Sequence, residues 1–212
     1  MRKSIVTGFF ILLVSVSAFA QKETSVLWDD MMAGNELFVK GQVVFGTLNS
    51  ARRMWAKTQD PEVSILSCAD SRVPPEILFG KSVGELFVVR VAGNVEDRYG
   101  IASLDFAIKN GWTKLIVIMG HSECGAVKAA LPPSPVLPPP ASPQLGALVT
   151  RIQKSFTGTP TLREATIANV RYTLVRLRAE SPTIDEAIKS SKVDVVLAYY
   201  DVATGKVERI VD

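Results

Sequence analysis

From residue 60 onward the chain alternates short apolar runs with stretches whose apolar positions recur every three or four residues. Residues 63–67 (VSILS), 86–90 (LFVVR), 114–119 (KLIVIM) and 193–199 (VDVVLAY) are rich in β-branched side chains and lack a strict in–out alternation. Strands covered on both faces have that pattern, because neither face meets water. Between them, residues 100–110 carry Ile101, Leu104 and Ile108 at helical spacing and stop at Gly111, a common helix terminator. Thr159-Pro160 is read as the opening of a longer helix, with Ile167, Val170, Leu174 and Leu177 as its buried stripe. Strand–helix–strand order predicts an α/β fold with a mostly parallel central sheet flanked by helices. Residues 201–205 (DVATG) read as a turn into a last strand at 206–211. The amphipathic stretch over 26–44 predicts an N-terminal helix packed on the domain or on a partner subunit.

The pattern changes at two places. Arg2 and Lys3 precede an apolar run from Phe9 to Val16 and a small-x-small triplet, Ala18-Phe19-Ala20. These are the parts of a secretory leader, and the run is short for a membrane span. The expectation is a leader over 1–20, a single domain over 21–212 and no membrane attachment after cleavage. The protein then works outside the cytoplasm, in a periplasm or secreted, where thiols face oxidation. Farther on, seven of the 12 prolines fall within 132–143 (PPSPVLPPPASP), a run expected to form a stiff exposed loop of polyproline II character.

Composition narrows the function. The 212 residues are 47% hydrophobic and 21% charged, enough for the core of one ordinary domain. The net charge of +3 is spread without a basic block, which argues against a dedicated nucleic-acid partner. Two cysteines and one histidine are too few for a disulfide scaffold or a zinc-finger array.

Those few residues fall together. Ligands of open parallel sheets gather beyond the carboxyl ends of the strands, and three predicted strand ends run into Cys68-Ala-Asp70-Ser-Arg72, Arg90-Val-Ala-Gly-Asn94 and Gly120-His121-Ser-Glu-Cys124-Gly125. Two thiolates and an imidazole are donors that zinc prefers, and Asp70 can add a fourth. His121 and Cys124, three apart, are expected on one face of a starting helical turn. A Cys68–Cys124 disulfide, or simple core positions for all three, are the alternatives that spacing leaves open.

CADSRVPPE (68–76) with HSECG (121–125) resembles the β-class carbonic anhydrases, whose pattern is C-x-D-S-R followed by H-x-x-C. The likeness extends through AGNELFVKG (33–41), GELFVVRVAGN (84–94), ANV (168–170) and YYDVATGKV (199–207). It implies zinc-dependent, reversible hydration of carbon dioxide to bicarbonate and a proton. It also implies Cys68, His121 and Cys124 as ligands of Zn2+. The fourth place would go to Asp70 in a closed form and to water in an open one, with Arg72 drawing the Asp70 carboxylate off the ion. By the same resemblance Gln59, Phe87, Ala92, Phe106 and Gly125 line the substrate pocket, Phe106 standing where many members have Tyr. Ile65 stands where some members carry the Trp of a regulatory bicarbonate site, so that control is not expected. Members assemble as homodimers or larger even assemblies that share pocket residues across the interface. The rival functions are hydrolysis of carbonyl sulfide or carbon disulfide at the same site, and an exported zinc or redox protein without catalysis.

Overall fold

The strands are β1 (Glu62–Ser67), β2 (Leu86–Arg90), β3 (Thr113–His121), β4 (Asp194–Tyr200) and β5 (Val207–Arg209). In this computed structural model they form one sheet in the order β2-β1-β3-β4-β5, with β1 to β4 parallel and β5 antiparallel to β4. The structure describes residues 8–42, 48–132 and 142–211, and side chains from residue 24 onward.

Helices cover both faces, which is why the strands carry unbroken apolar runs. Helix α1 (Gly8–Val39) brings Trp28 and Met31, and α3 (Pro75–Leu78) brings Leu78, onto Ile65, Leu115, Val117 and Met119, while α2 (Leu48–Met54) buries no side chain. Helices α4 (Arg98–Lys109), α7 (Leu162–Glu180) and α8 (Pro182–Lys189) cover the other face, where Leu104, Val170 and Ile184 meet Leu66, Ile116 and Ile118. Alternate residues of β3 thus serve opposite cores. A third cluster lies beyond the strand ends. There α5 (Gly125–Ala130) and α6 (Pro143–Gln153) pack Val127, Val149 and Ile152 around Cys68 and Cys124.

Several predicted boundaries move for identifiable reasons. Helix α7 opens at Thr161, not at Thr159-Pro160, because Thr161 and Glu164 form a reciprocal capping box. Its buried side holds Ala165, Thr166, Asn169, Val170, Thr173 and Leu177, whereas Ile167 and Leu174 are only partly buried. The predicted stripe followed apolar residues; the observed one is turned because three polar side chains face inward. Helix α1 ends at Val39, short of 44, in a turn at Lys40-Gly41. Pro143 ends the proline run by starting α6 behind the Ser142 cap; positions 133–141 of the predicted loop lie outside the described residues. The DVATG turn is present, closed by Thr204 N–H to Asp201 Oδ1 at 2.7 Å, but the strand after it is limited to Val207–Arg209.

Asn35 fastens α1 to the domain. Its buried amide donates to the carbonyls of Leu78 (3.2 Å) and Gly205 (2.9 Å) and accepts from Val207 N–H (2.9 Å). Asn35→Ala leaves those backbone groups unpaired, so it is expected to cost about 3 kcal/mol in chemical denaturation. A loss below about 0.5 kcal/mol would show the tie to be dispensable. Among the described residues, no helix is long and apolar enough to cross a membrane.

Candidate metal centre

Two strand ends and one helix start supply the centre. Cys68 follows β1, His121 is the last residue of β3, and Cys124 is the N-cap of α5. His121 and Cys124 therefore do not share a helical face, as their spacing predicted. Strand β3 runs on through Gly120 to His121, a two-residue bend follows with Glu123 at φ 55°, and only then does the helix begin. The result serves the same end: one donor atom from each of Cys68, His121 and Cys124 lies within 4.8 Å of the other two. All three side chains are buried, with relative exposures of 4%, 0% and 1%. Both cysteines are free, so the disulfide alternative is not realised.

The donor atoms are prepared for a cation. His121 Nδ1 lies 2.8 Å from the carbonyl oxygen of Ser122. A carbonyl can only accept, so Nδ1 carries the proton and Nε2 presents its lone pair. That Nε2 is buried without a hydrogen-bond partner among the described residues. Ser122 is itself pinned, its N–H to Tyr200 O at 2.8 Å and its Oγ accepting from Val202 N–H at 2.9 Å. Of the sulfurs, Cys68 is the thiolate. A hydrogen bond from Cys124 lowers it to about 4 against the opposing cost of burial, helped by His121 and by the N–H groups of Asp70 and Gly93. Cys124 is raised, first because it keeps the proton of that bond and then because it is buried. A cation that takes both sulfurs releases this proton.

Asp70 stands at the edge of the cluster with both carboxylate oxygens held by Arg72. Its Oδ1 accepts from Arg72 Nε (2.9 Å) and from Arg72 backbone N–H (2.9 Å), and its Oδ2 from Arg72 Nη2 (2.8 Å). This two-pronged pair leaves Oδ2 3.9 Å from His121 Nε2. The hydrogen-bonded guanidinium holds the Asp70 carboxyl well below the usual carboxylate range. Arg72 Nη2 also donates to the carbonyl of Glu123 at 3.1 Å, so one side chain braces both ligand-bearing segments.

The pocket residues named above are dispersed. Ala92 begins the turn after β2, Gly125 begins α5 beside Cys124, and Phe87 lies within β2; Ala92 and Phe87 are half-buried and Gly125 is exposed. Gln59, half-buried, precedes β1. Phe106 is 57% exposed on α4 and meets Trp112 edge-on with centroids 5.5 Å apart. Within one protomer it is a surface side chain. The sequence placed the Arg90–Asn94 segment at this rim but gave no role to Arg90, which donates to the carbonyls of Cys68 (3.0 Å) and Asp70, or to Gly93, whose N–H points at Cys68 Sγ. It also missed the Ser122 carbonyl, because backbone groups leave no mark on residue type. Asp97 is the N-cap of α4, accepting from Tyr99 and Gly100 N–H.

A carbonic anhydrase family profile matches residues 63–207, spanning both ligand-bearing segments. The chain belongs to the β-carbonic anhydrase family. A carbonic anhydrase of Mycolicibacterium smegmatis is 33% identical over 187 residues, covering 85% of this chain and 90% of that protein. The Coccomyxa β-carbonic anhydrase solved with acetazolamide superposes with a TM-score of 0.67 at 25% identity, over 77% of this chain and 78% of that one. One of two tetrameric β-carbonic anhydrases from Sordaria macrospora gives 0.64 at 20% identity, over 92% and 97%. β-Carbonic anhydrases use zinc, and the Cys68–His121–Cys124 cluster is compatible with it. Two sulfurs and one neutral imidazole nitrogen with a buried lone pair are a zinc donor set, and three protein ligands would leave a fourth position for chemistry.

Proposed function

We propose that this β-carbonic anhydrase catalyses the reversible hydration of carbon dioxide to bicarbonate and a proton, with Zn2+ held by Cys68, His121 and Cys124. The observation that carries the reading is the convergence of these three buried donors beside an Asp70 carboxylate already drawn off by Arg72. Bound zinc supplies a Lewis acid that makes hydroxide available near neutrality. The chain does the rest. Cys68 and Cys124 give two negative donors that moderate the charge of the ion, and the Ser122 carbonyl aims His121 Nε2 at it. Arg72 keeps Asp70 from filling the fourth position, so Asp70 and Arg72 act as a gate. Gly125, next to Cys124, and Ala92, next to the Gly93 whose N–H reaches Cys68 Sγ, leave room for a small apolar molecule. Gln59, Phe87 and Phe106 complete the pocket in this reading. The exposure of Phe106 in one protomer fits a role at a neighbouring subunit, in a homodimer or larger even assembly like the tetrameric Sordaria enzymes.

Initial rates of bicarbonate formation from carbon dioxide, set against sulfide release from carbonyl sulfide, test the assignment. Fast hydration with slow sulfide release is expected; the reverse ranking would overturn it.

Acid is expected to reduce activity, since protons compete with zinc for the two sulfurs and the imidazole. The gate does not add to this loss. A carboxyl held below its ordinary value contributes in full above that value, and its contribution disappears only as pH falls through the lowered one. Activity and zinc content should therefore fall together as pH is lowered. Activity that falls while zinc stays bound would assign the acid limb to another group.

Export is part of the same proposal, with cleavage after Ala20 placing the enzyme in a periplasm or outside the cell. The described contacts that fasten α1, from Thr24–Asp194 (2.6 Å) through Trp28, Met31 and Asn35, all follow that point. Removal of 1–20 leaves them in place.

A further inference from the structure

Helix α7 carries a polar stripe that the zinc chemistry above does not use. Asn169 and Thr173, one turn apart, are each 1% exposed. Asn169 Nδ2 donates to the carbonyl of Gly93 at 2.6 Å, and Thr173 Oγ1 to the carbonyl of Asn94 at 3.3 Å. Both carbonyls belong to the turn that follows β2, where two successive residues are left-handed: Gly93 at φ 67° and Asn94 at φ 47°. A Cβ at Gly93 would lie 2.6 Å from Ile152 Cδ1, so the position needs glycine for space as well as for its backbone angles. Asparagine adopts such angles more readily than other non-glycine residues, and the bonds from α7 to the two carbonyls hold the turn in place.

The bend has a consequence at the metal centre. It aims the Gly93 N–H at Cys68 Sγ, 3.2 Å away. The same peptide turn therefore has its carbonyl gripped by α7 while its amide touches a ligand sulfur. Helix α7 also lies against the other ligand segment: a Cβ on Gly120, the residue before His121, would meet Val170 Cγ2 at 2.7 Å and Thr166 Cγ2 at 2.8 Å.

We propose that Asn169 is a positioning residue that acts through the Gly93 turn to hold an N–H group on the Cys68 sulfur, setting how much charge that sulfur donates to the metal. This rests on the zinc reading above. An N–H donor withdraws electron density from a thiolate, which strengthens the pull of the ion on its remaining ligand. Loss of the donor makes the sulfur more electron-rich and loosens the orientation of Cys68.

Cobalt(II) in place of zinc reports directly on sulfur through its near-ultraviolet sulfur-to-metal absorption. Asn169→Leu keeps the branching of asparagine at Cγ and removes the amide. It is expected to move this band to longer wavelength and to weaken zinc retention against a chelator by about 10-fold. Leu177→Ala, a buried truncation two turns along α7, is expected to destabilise the fold without moving the band. Thr173→Val, which removes one hydroxyl isosterically, should shift the band in the same direction by less, and it carries the test if Asn169→Leu does not fold. An unchanged band in the cobalt-loaded variants overturns the proposal, as does an equal shift in Leu177→Ala. Wild-type protein without any such band would instead overturn the zinc reading, and the proposal with it.

Discussion

His121→Ala is expected to empty the metal centre and abolish carbon dioxide hydration in one step. His121 is the only neutral donor among the three ligands, and its Nε2 has no hydrogen-bond partner among the described residues. With it gone, two sulfurs must hold the ion alone, a loss on the order of 3 kcal/mol or more, which exceeds a hundredfold in affinity. Metal analysis after gel filtration should find almost no zinc, and thiol titration of the folded variant should find Cys68 and Cys124 both reactive. Cys68→Ser and Cys124→Ser should behave alike, because a hydroxyl is a poor substitute for a thiolate on zinc. Full zinc occupancy in the histidine variant would remove His121 from the ligand set.

Arg72→Ala is expected to separate binding from turnover. None of the three ligand atoms belongs to Arg72, so zinc should stay bound at about one per chain. What disappears is the two-pronged grip on Asp70 and the bond to the Glu123 carbonyl. The Asp70 carboxylate, with Oδ2 only 3.9 Å from His121 Nε2, is then free to turn toward the cation and close the fourth position. A fall in kcat of about 100-fold is expected, with Arg72→Lys intermediate because an ammonium cannot pair with both oxygens at once. A variant as fast as wild type and fully zinc-loaded would dismiss the gate. The double variant Arg72→Ala with Asp70→Ala should recover part of the lost rate, since no carboxylate remains to block the position.

The parts of this molecule that were legible in the sequence are those where residue type alone decides the outcome. Residues 86–90 coincide with β2 because a run of large apolar side chains between helices has few places to go except a covered sheet. The centre was legible because two cysteines and a single histidine cluster at two strand ends. The orientation of α7 was not, since a stripe drawn through Ile167, Val170, Leu174 and Leu177 leaves out Thr166, Asn169 and Thr173, two of which turn inward to satisfy the buried carbonyls of the Gly93–Asn94 turn. Short helices α3 and α8 escaped a reading based on periodicity, although Pro75 and Pro182 at their first turns and the Ser181 cap were present as signals. The bend between His121 and Cys124 depends on Glu123 adopting a positive φ, a property of the assembled loop and not of glutamate.

X-ray absorption at the zinc edge, on purified protein holding about one zinc per chain, counts the atoms around the ion directly. Two sulfurs near 2.3 Å and two lighter atoms near 2.0–2.1 Å are predicted. A shell without sulfur, with one sulfur, or with more than two would contradict a cation held by Cys68, Cys124 and His121.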